Sequence, residues 1–302
     1  YGVTRHHVLG VEAVLASGET IRTGGKFVKA TSGYDLTQLI LGSEGTLAIV
    51  TEATLKLSPR LPHAATVLAP FASMEQVTEA VPKVVASGVD PMILEYIDML
   101  TLSAMGTTLG LDLGIPTEIK DTALAYLVVV LESAYDDRLE VDIQKVAEQL
   151  AELGAMDIYV LPPKAATELI DAREKAFWVA KANNANEIID VVVPRSTMPE
   201  FMKRVGELAT ETASWIAGCG HAGDGNVHMS IFQGDPDVLA DVMKRLYAIG
   251  MELGGAISGE HGLGTAKRGH FLELEDPAKI ELMRRIKTAF DPNGILNPGK
   301  VL

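Results

Sequence analysis

The sequence predicts an α+β fold built on an antiparallel sheet, and two features of the 302-residue chain carry this prediction. Residues 1–62 alternate apolar and polar side chains between turn residues, which is typical of a small β-rich unit. Beyond them, apolar strands and amphipathic helices follow in the order strand, helix, strand, helix, strand, helix, strand. This order is typical of ferredoxin-like units, with helices on one face of an antiparallel sheet, and differs from a doubly wound sheet.

Local patterns predict the individual elements. A hairpin is predicted around Ala16-Ser17-Gly18, and a further strand over 47–59 ends at Pro59. Later strands are predicted at 64–71, 91–98, 124–133, 156–161, 187–194, 213–220, 227–232 and 255–259. Helices are predicted at 73–88, after 98, and at 136–154, 165–181, 199–212 and 238–253, with a loop over 107–121. The two runs of elements have a similar order, which indicates a structural repeat without residue-level identity.

Composition excludes several classes of protein. A net charge of −14, without clusters of Lys and Arg, is unfavourable for binding a phosphate backbone and argues against a nucleic-acid partner. The longest apolar run, 123–131, is far shorter than the roughly 20 residues of a transmembrane helix. The single cysteine, Cys219, forms no internal disulfide, fits a reducing compartment, and is expected to be a small buried side chain rather than a reactive thiol.

Two glycine-rich motifs hold three of the seven histidines: HAGDGNVH at 221–228 and GEHGLG at 259–264. We expect His221 and His228 to flank a turn between two strands, and Glu260 to follow the end of the strand predicted at 255–259. Two imidazoles and a carboxylate can hold a divalent metal, although hydrogen-bonded structural histidines explain such a turn equally well. His261, next to Glu260, would then face the substrate as a general base.

Other sites are weaker or absent. The chain contains neither a GxGxxG fingerprint placed between strand and helix nor a P-loop, a GxSxG motif or a calcium loop. Arg173, on the helix predicted at 165–181, either binds a substrate carboxylate or is solvated or paired with an acidic residue. The stretch LGSEGTLAIVTE at 41–52 either exposes its backbone to a flat or phosphorylated cofactor or forms a β-bulge at a sheet edge.

Four segments together resemble a known family. GSEGTLAIVTEATL, HAGDGNVH, SGEHGLGTAKR and DPNGILNPGKVL occur in the order found in FAD-linked oxidases of the vanillyl-alcohol oxidase type. Within that family, the chain is most similar to D-lactate dehydrogenases of the cytochrome type, the flavin subunit of glycolate oxidase and D-2-hydroxyglutarate dehydrogenase. The resemblance implies FAD-dependent oxidation of a D-2-hydroxy acid, D-lactate or glycolate, to the 2-oxo acid, with hydride transfer to flavin N5.

The resemblance also implies domains and residue roles. Residues 1–62 would be the C-terminal part of a FAD-binding domain, 63–284 the substrate domain, and 285–302 a tail that returns to the flavin domain. His221, His228 and Glu260 match the metal ligands, for zinc or a similar divalent ion; His261 matches the active-site base and Arg173 the carboxylate-binding arginine. The segment that matches the FAD-contacting residues comprises Glu44, Gly45, Thr46, Leu47, Ala48, Ile49 and Val50.

Three positions depart from the family pattern. Ala48 replaces a usual glycine, which we expect to be tolerated if its φ is negative. Ile188 stands where the hydroxyglutarate branch has a lysine, and Ser230, expected at the substrate, stands where that branch has an asparagine. Since both changes remove polar contacts to a second carboxylate, the sequence favours a monocarboxylate substrate.

The resemblance carries further expectations about the whole protein. The chain begins at Tyr1, where family members have a preceding stretch with the pyrophosphate-binding loop, so we expect a fragment of a longer protein. The electron acceptor would be a cytochrome, a quinone or an electron-transfer flavoprotein, and a homodimer stays open. We expect a cytoplasmic protein that can be peripheral to a membrane, or a mitochondrial one in a eukaryote. Two alternatives remain: a metal-dependent hydrolase that uses the same residues, and a non-catalytic subunit of a flavoenzyme complex.

Overall fold

The fold divides into two compact units. A computed structural model describes residues 2–302 of the protein. One unit is formed by Tyr1–Pro59 with Glu260–Leu302, and the other by Arg60–Gly259. The chain thus re-enters the first unit at Glu260, ahead of the boundary predicted at 285. Assignment of these parts to a flavin domain and a substrate domain stays a prediction.

The regular elements account for most of the chain. The strands are β1 (Val8–Val14), β2 (Thr20–Gly24), β3 (Ile49–Leu55), β4 (His63–Phe71), β5 (Ile93–Asp98), β6 (Ala125–Ser133), β7 (Tyr159–Val160), β8 (Glu187–Val192), β9 (Trp215–Gly220) and β10 (Asn226–Phe232). The helices are α1 (Leu36–Ile40), α2 (Met74–Ala86), α3 (Met99–Leu109), α4 (Thr117–Lys120), α5 (Asp136–Glu152), α6 (Pro163–Glu174), α7 (Ala176–Ala182), α8 (Met198–Glu211), α9 (Pro236–Glu252), α10 (Arg268–Leu274) and α11 (Pro277–Phe290). Short 3₁₀ turns cover Thr4–His7, Arg195–Thr197 and Ala222–Asp224.

The first unit contains a three-stranded antiparallel sheet in the order β2-β1-β3. The predicted hairpin is confirmed: Gly18 has a φ of +87° in the turn between β1 and β2. Val11, Ala13, Ile40 and Ala48 pack into a small apolar cluster on this sheet. This part of the chain therefore has its own core, with β3 at the edge of the sheet.

The second unit contains a seven-stranded sheet in the order β7-β4-β6-β5-β9-β10-β8, and its neighbouring strands pair antiparallel. The predicted α+β class and antiparallel sheet are confirmed. The sheet consists of two similar halves, each a split βαβ unit extended by a second helix. In the first half, β6 lies between β4 and β5, and in the second, β10 lies between β8 and β9.

The fourth strand of each half is vestigial. In the first half, β7 is two residues long and pairs with β4. In the second half, the corresponding segment is a single antiparallel bridge between Ala256 and Val192. The halves meet where β5 pairs with β9, through Tyr96 with Gly220 and Ile97 with Cys219. The repeat indicated by the element order is therefore present, and it places the ends of β9 and β10 next to β5 and β8.

The sheet is buried on both faces at its centre, although the sequence predicts helices on one face. Tyr126 and Val128 of β6 pack in an apolar cluster with Leu169 of α6. Leu127 and Val129 point to the opposite face, because side chains alternate along a strand, and they are also buried. Helices therefore cover both faces there, as the continuous apolar run over 123–131 permits.

Side-chain caps explain where several helices begin. The capping side chain accepts a hydrogen bond from a backbone N–H in the first helical turn, which would otherwise lack a partner. Such caps are Asp35 for α1, Ser73 for α2, Asp98 for α3, Asp235 for α9 and Asp276 for α11.

Three predicted elements differ from the structure, and two helices were not predicted. The helix predicted over 165–181 is broken at Lys175 into α6 and α7. The loop predicted over 107–121 contains the end of α3 and the short helix α4. The strand predicted over 255–259 is reduced to the Ala256 bridge. The sequence reasoning also missed α10 and α11, whose polar faces obscured their apolar period.

Two expectations about the environment of the chain can be compared with the structure. Within residues 2–302, no helix is both long enough and apolar enough to cross a membrane. Cys219 is buried, and this burial raises the pKa of its thiol to about 12. The thiol therefore stays protonated at neutral pH and behaves as a small apolar side chain, as predicted.

Asp98 joins α3 to the sheet at the contact between the halves. Its carboxylate accepts the N–H of Thr101, which caps α3, and the N–H of Gly218 on β9. Burial raises the pKa of Asp98 from 3.8 to about 6, against the opposing effect of these hydrogen bonds. The folded protein therefore holds the Asp98 proton more tightly than the unfolded chain does.

Asp98→Asn is expected to flatten the dependence of stability on pH. Because the folded pKa is the higher one, the contribution of Asp98 to stability is present below about pH 4 and is lost as the pH rises through about 6. Urea denaturation at a series of pH values should therefore show a smaller fall in stability from pH 4 to 6 in the variant. The exposed Asp90→Asn serves as control, and equal slopes in the wild type and Asp98→Asn would contradict the prediction.

Candidate functional site

The turn between β9 and β10 brings two histidines together. β9 ends at Gly220, His221 follows it, and His228 lies two residues into β10. Gly225 closes the turn with a φ of +76°, and a Cβ there would lie 2.0 Å from the carbonyl oxygen of Val193. Only glycine fits this position. The imidazole centroids of His221 and His228 are 5.3 Å apart as a result.

Glu260 is brought to these histidines by the packing of Gly259, rather than by a strand end as predicted. The N–H of Gly259 donates to Asp190 Oδ2 at 3.0 Å. A Cβ on Gly259 would lie 2.4 Å from Oδ1 of Asn226, so the two glycine-rich motifs touch directly at this point. Asn226 was missed in the sequence, where nothing distinguishes it from an ordinary turn residue.

His221, His228 and Glu260 form a candidate metal site. Each offers one ligand atom, and these atoms lie within 4.8 Å of one another. Tetrahedral ligands at zinc distances lie about 3 to 4 Å apart, so side-chain rotations and a shift of Arg173 away from the ring nitrogen of His221 would complete the set. The predicted residues are thus brought together, and two imidazoles with one carboxylate suit zinc or a similar divalent ion.

A buried carboxylate lies next to each histidine. Glu95 on β5 is 5% exposed, and its Oε1 is within hydrogen-bonding distance of His221 Nδ1. Asp190 on β8 is 0% exposed, and its Oδ1 lies 3.8 Å from His228 Nδ1. Carboxylates behind metal-binding histidines fix the orientation of the ring and raise its basicity. Glu95 was missed in the sequence, although a charged residue in the apolar strand ILEYID could have indicated it.

Arg173 on α6 reaches the same group. Its Nε donates to Glu95 Oε2 at 2.7 Å, and one terminal nitrogen lies 2.6 Å and 2.8 Å from the ring nitrogens of His221. Arg173 is therefore paired with a carboxylate, one of the two interpretations left open by the sequence. Its position beside His221 also fits the other interpretation, since the guanidinium has five donors and these contacts leave some of them for a substrate.

Ser230 and Ile188 lie opposite each other. They pair across β10 and β8, two residues along from the pair of His228 and Asp190. Side chains two residues apart on a strand point to the same face, so Ser230 shares the face of His228. The two positions that depart from the hydroxyglutarate branch are thus neighbours.

His261 is exposed, and its Nε2 lies 3.7 Å from Oε1 of Glu260. Its neighbour Glu260 is exposed as well. The backbone around His261 is glycine-rich, with Gly262 at a φ of +79°. An exposed imidazole next to a candidate metal ligand can exchange protons with a bound molecule.

The segment from Glu44 to Val50 presents two kinds of surface. Thr46, Leu47 and Ala48 are buried, whereas Ile49 and Val50 are 57% and 44% exposed. Ala48 has no positive φ, so the condition for its tolerance is met. Pairing of β3 with β1 shifts register next to Glu12, so a bulge at a sheet edge is present.

The exposed part of the same segment is apolar or lacks a side chain. Ile49 and Val50 expose apolar side chains, and Gly45, four residues before Ile49, is exposed as well. An apolar ring system can cover such side chains, and a glycine lets a ligand approach the backbone. Contacts of the segment with FAD stay a prediction.

Comparison with known proteins shows the family. Residues 60–301 match the family model of the FAD linked oxidases, C-terminal domain. An uncharacterized FAD-linked oxidoreductase from Mycobacterium tuberculosis is 60% identical over 301 residues, and a D-lactate dehydrogenase from Archaeoglobus fulgidus is 37% identical over 304 residues. Both alignments cover 100% of this chain and 66% of the relative.

A solved structure shows the same fold at low identity. The 4-ethylphenol oxidase from Gulosibacter chungangensis matches with a TM-score of 0.73 and 17% identity, covering 98% of this chain and 65% of that one. The chain therefore belongs to the FAD linked oxidase family, as the four motifs indicate. It spans about two thirds of the length of the two relatives.

Glu95→Gln is expected to weaken metal binding. The amide cannot pair with both His221 and Arg173 as the carboxylate does, so His221 loses its fixed orientation. Loss of such a supporting contact typically lowers metal affinity by about 10- to 100-fold. Titration with Zn²⁺ against a competing chelator measures this, and the exposed Glu79→Gln should bind Zn²⁺ like the wild type. Equal affinity of Glu95→Gln and the wild type would contradict the supporting role.

Proposed function

We propose that the protein oxidises a D-2-hydroxy acid, D-lactate or glycolate, to the 2-oxo acid with FAD as the oxidant. The observation that carries this proposal is the cluster of His221, His228 and Glu260 next to Arg173, within a domain of the FAD linked oxidase family. The relative from Archaeoglobus fulgidus is named a D-lactate dehydrogenase, which supports the choice of substrate class.

His221, His228 and Glu260 would hold a divalent metal, with zinc as the first candidate. When bound, such an ion lowers the pKa of a coordinated hydroxyl and polarises it. Glu95, and Asp190 after a small approach to His228, would keep the two imidazoles oriented toward the ion. The site can therefore bind the hydroxyl group that is to be oxidised.

Arg173 would bind the carboxylate of the substrate. Its pairing with Glu95 fixes the guanidinium beside His221, and a charged, planar donor binds a carboxylate by two parallel hydrogen bonds. This contact selects an acid and determines which face of Cα is presented.

His261 would take the hydroxyl proton. An imidazole has an ordinary pKa near neutrality, which suits a general base at physiological pH. The oxidation would be supplied by bound FAD as the hydride acceptor, with N5 as the accepting atom. Glu44 to Val50 would contribute contacts to the flavin, and a cytochrome, a quinone or an electron-transfer flavoprotein would reoxidise it.

The cross-strand pair of Ile188 and Ser230 would select for a small substrate. An isoleucine offers no hydrogen bond, and a serine hydroxyl offers a single short one. A second carboxylate buried there would lack a charged partner, which is unfavourable. Monocarboxylates such as lactate and glycolate are therefore preferred over 2-hydroxyglutarate.

The alternatives are less well supported. A metal-dependent hydrolase could use the same His221, His228 and Glu260 to activate water. The family match over 60–301 favours a flavin enzyme instead. A non-catalytic subunit would have no use for a base beside the metal ligands. A yellow full-length protein that absorbs in the flavin range would exclude the hydrolase.

His261→Ala is expected to abolish reduction of the flavin by D-lactate in the full-length protein. Removal of a general base typically lowers the rate by about 10²- to 10⁴-fold, while the bound flavin stays in place. Anaerobic stopped-flow absorbance measures flavin reduction directly. The exposed His6→Ala is a matched control that should leave the rate unchanged, and normal reduction in His261→Ala would refute the assignment of the base.

Replacing both Ile188→Lys and Ser230→Asn is expected to favour D-2-hydroxyglutarate. A charged hydrogen bond to the second carboxylate should raise the ratio of kcat/KM for this substrate over D-lactate by about tenfold or more. Ser230→Ala, which adds no donor, should not produce this gain. Steady-state assays with an artificial electron acceptor give both values, and an unchanged ratio would remove these positions from substrate selection.

A further inference from the structure

Glu44 makes an unusual set of contacts for a residue in a glycine-rich segment. Its Oε1 accepts the N–H of Leu263 at 2.7 Å, and its Oε2 accepts the N–H of Gly264 at 2.8 Å. One carboxylate thus binds two successive backbone amides of the GEHGLG motif. Hydrogen bonds to a charged acceptor are stronger than those between neutral groups.

The loop is shaped to receive this carboxylate. Gly262 has a φ of +79°, and a Cβ there would lie 2.9 Å from Cδ of Glu44 and 3.0 Å from its Oε1. Any larger residue at 262 would displace the side chain of Glu44. The glycine of the motif and the glutamate of the distant segment are therefore complementary.

The backbone of Glu44 is fixed from another direction. Glu44 has a φ of +52°, in the left-handed region that a non-glycine residue rarely occupies, and its carbonyl accepts a hydrogen bond from the side chain of Asn297. Lys287 Nζ donates to the carbonyl of Thr46 at 2.8 Å and to that of Leu296 at 2.8 Å. A strained conformation of this kind persists where surrounding contacts determine it, and such residues cluster at functional sites.

We propose that Glu44 is a positioning residue for the loop that carries Glu260 and His261. Its carboxylate fixes the backbone at Leu263 and Gly264, two and three residues beyond His261, and so limits the conformations of the glycine-rich loop. This role of the Glu44 carboxylate is additional to the flavin contacts proposed for the segment from Glu44 to Val50. It deepens the proposed function, because the base and a metal ligand would both depend on this contact.

Glu44→Gln tests the contact itself. The amide keeps one acceptor oxygen and turns an NH₂ group toward the second backbone N–H, so at least one hydrogen bond is lost. Hydrogen–deuterium exchange of a peptide covering residues 259–267 should become about tenfold faster or more, from the usual strength of hydrogen bonds to a charged group. Glu52→Gln, an exposed glutamate on β3, should leave the exchange unchanged.

A second variant distinguishes a local effect on the loop from misfolding of the protein. Glu44→Asp keeps the charge but shortens the side chain, so it should give an intermediate increase in exchange over 259–267. Exchange confined to this peptide, with far-UV circular dichroism like that of the wild type, supports local positioning. Unchanged exchange in both variants would overturn the proposal.

The effect on the reaction is measured in the full-length flavoprotein. Glu44→Gln should keep its flavin absorbance, lower kcat for the 2-hydroxy acid by about tenfold or more, and weaken binding of Zn²⁺, because Glu260 is less well held. Loss of flavin with normal exchange of the loop would instead assign Glu44 to the cofactor and overturn the positioning role. Faster exchange with unchanged kcat and Zn²⁺ affinity would overturn it as well.

The same measurements separate this inference from the proposed function. If no 2-hydroxy acid reduces the flavin of the wild type, the proposed function fails. Exchange over 259–267 and the Zn²⁺ titration still decide whether Glu44 positions the loop, since neither measurement needs a substrate.

Discussion

The candidate site depends on the hydrogen bonds made by Asp190, a fully buried carboxylate on β8. A buried charge is very unfavourable unless it is hydrogen-bonded, and Asp190 accepts the hydroxyl of Ser258 at 2.8 Å and the N–H of Gly259 at 3.0 Å. These contacts fix the chain immediately before Glu260, while the other oxygen lies near His228. One side chain therefore links a histidine on a strand to a carboxylate in a loop.

The two halves of the large sheet explain how the remaining groups converge. Pairing of β5 with β9 brings Glu95, from the first half, next to His221, which follows β9 in the second. Arg173 lies on α6 between the halves and binds Glu95. Each half alone would present only part of this set. Arg173 offsets the charge of Glu95, so the two opposite charges are held together in a largely buried place.

Much of the architecture follows from local patterns in the chain. The strands of the large sheet and helices such as α2, α5, α8 and α9 correspond to apolar periods that are visible in the sequence. Elements whose pattern is weak were predicted less well. The 165–181 helix breaks at Lys175 without a proline or glycine to mark it, and the strand predicted at 255–259 is limited to the Ala256 bridge because its glycines pair poorly.

The sequence by itself indicated His221, His228 and Glu260, because each lies among glycines at fixed spacing. Such glycines are needed where backbone and side chains approach closely. The sequence did not reveal the roles of Glu95 and Asn226 or the contact of Glu44 with Leu263 and Gly264. The hydrogen bonds of Glu95 and Glu44 join positions 78 to 220 residues apart, and Asn226 packs against Gly259 of another turn. Only the tertiary structure decided these contacts, because hydrogen bonds between distant segments leave no periodic pattern in either segment.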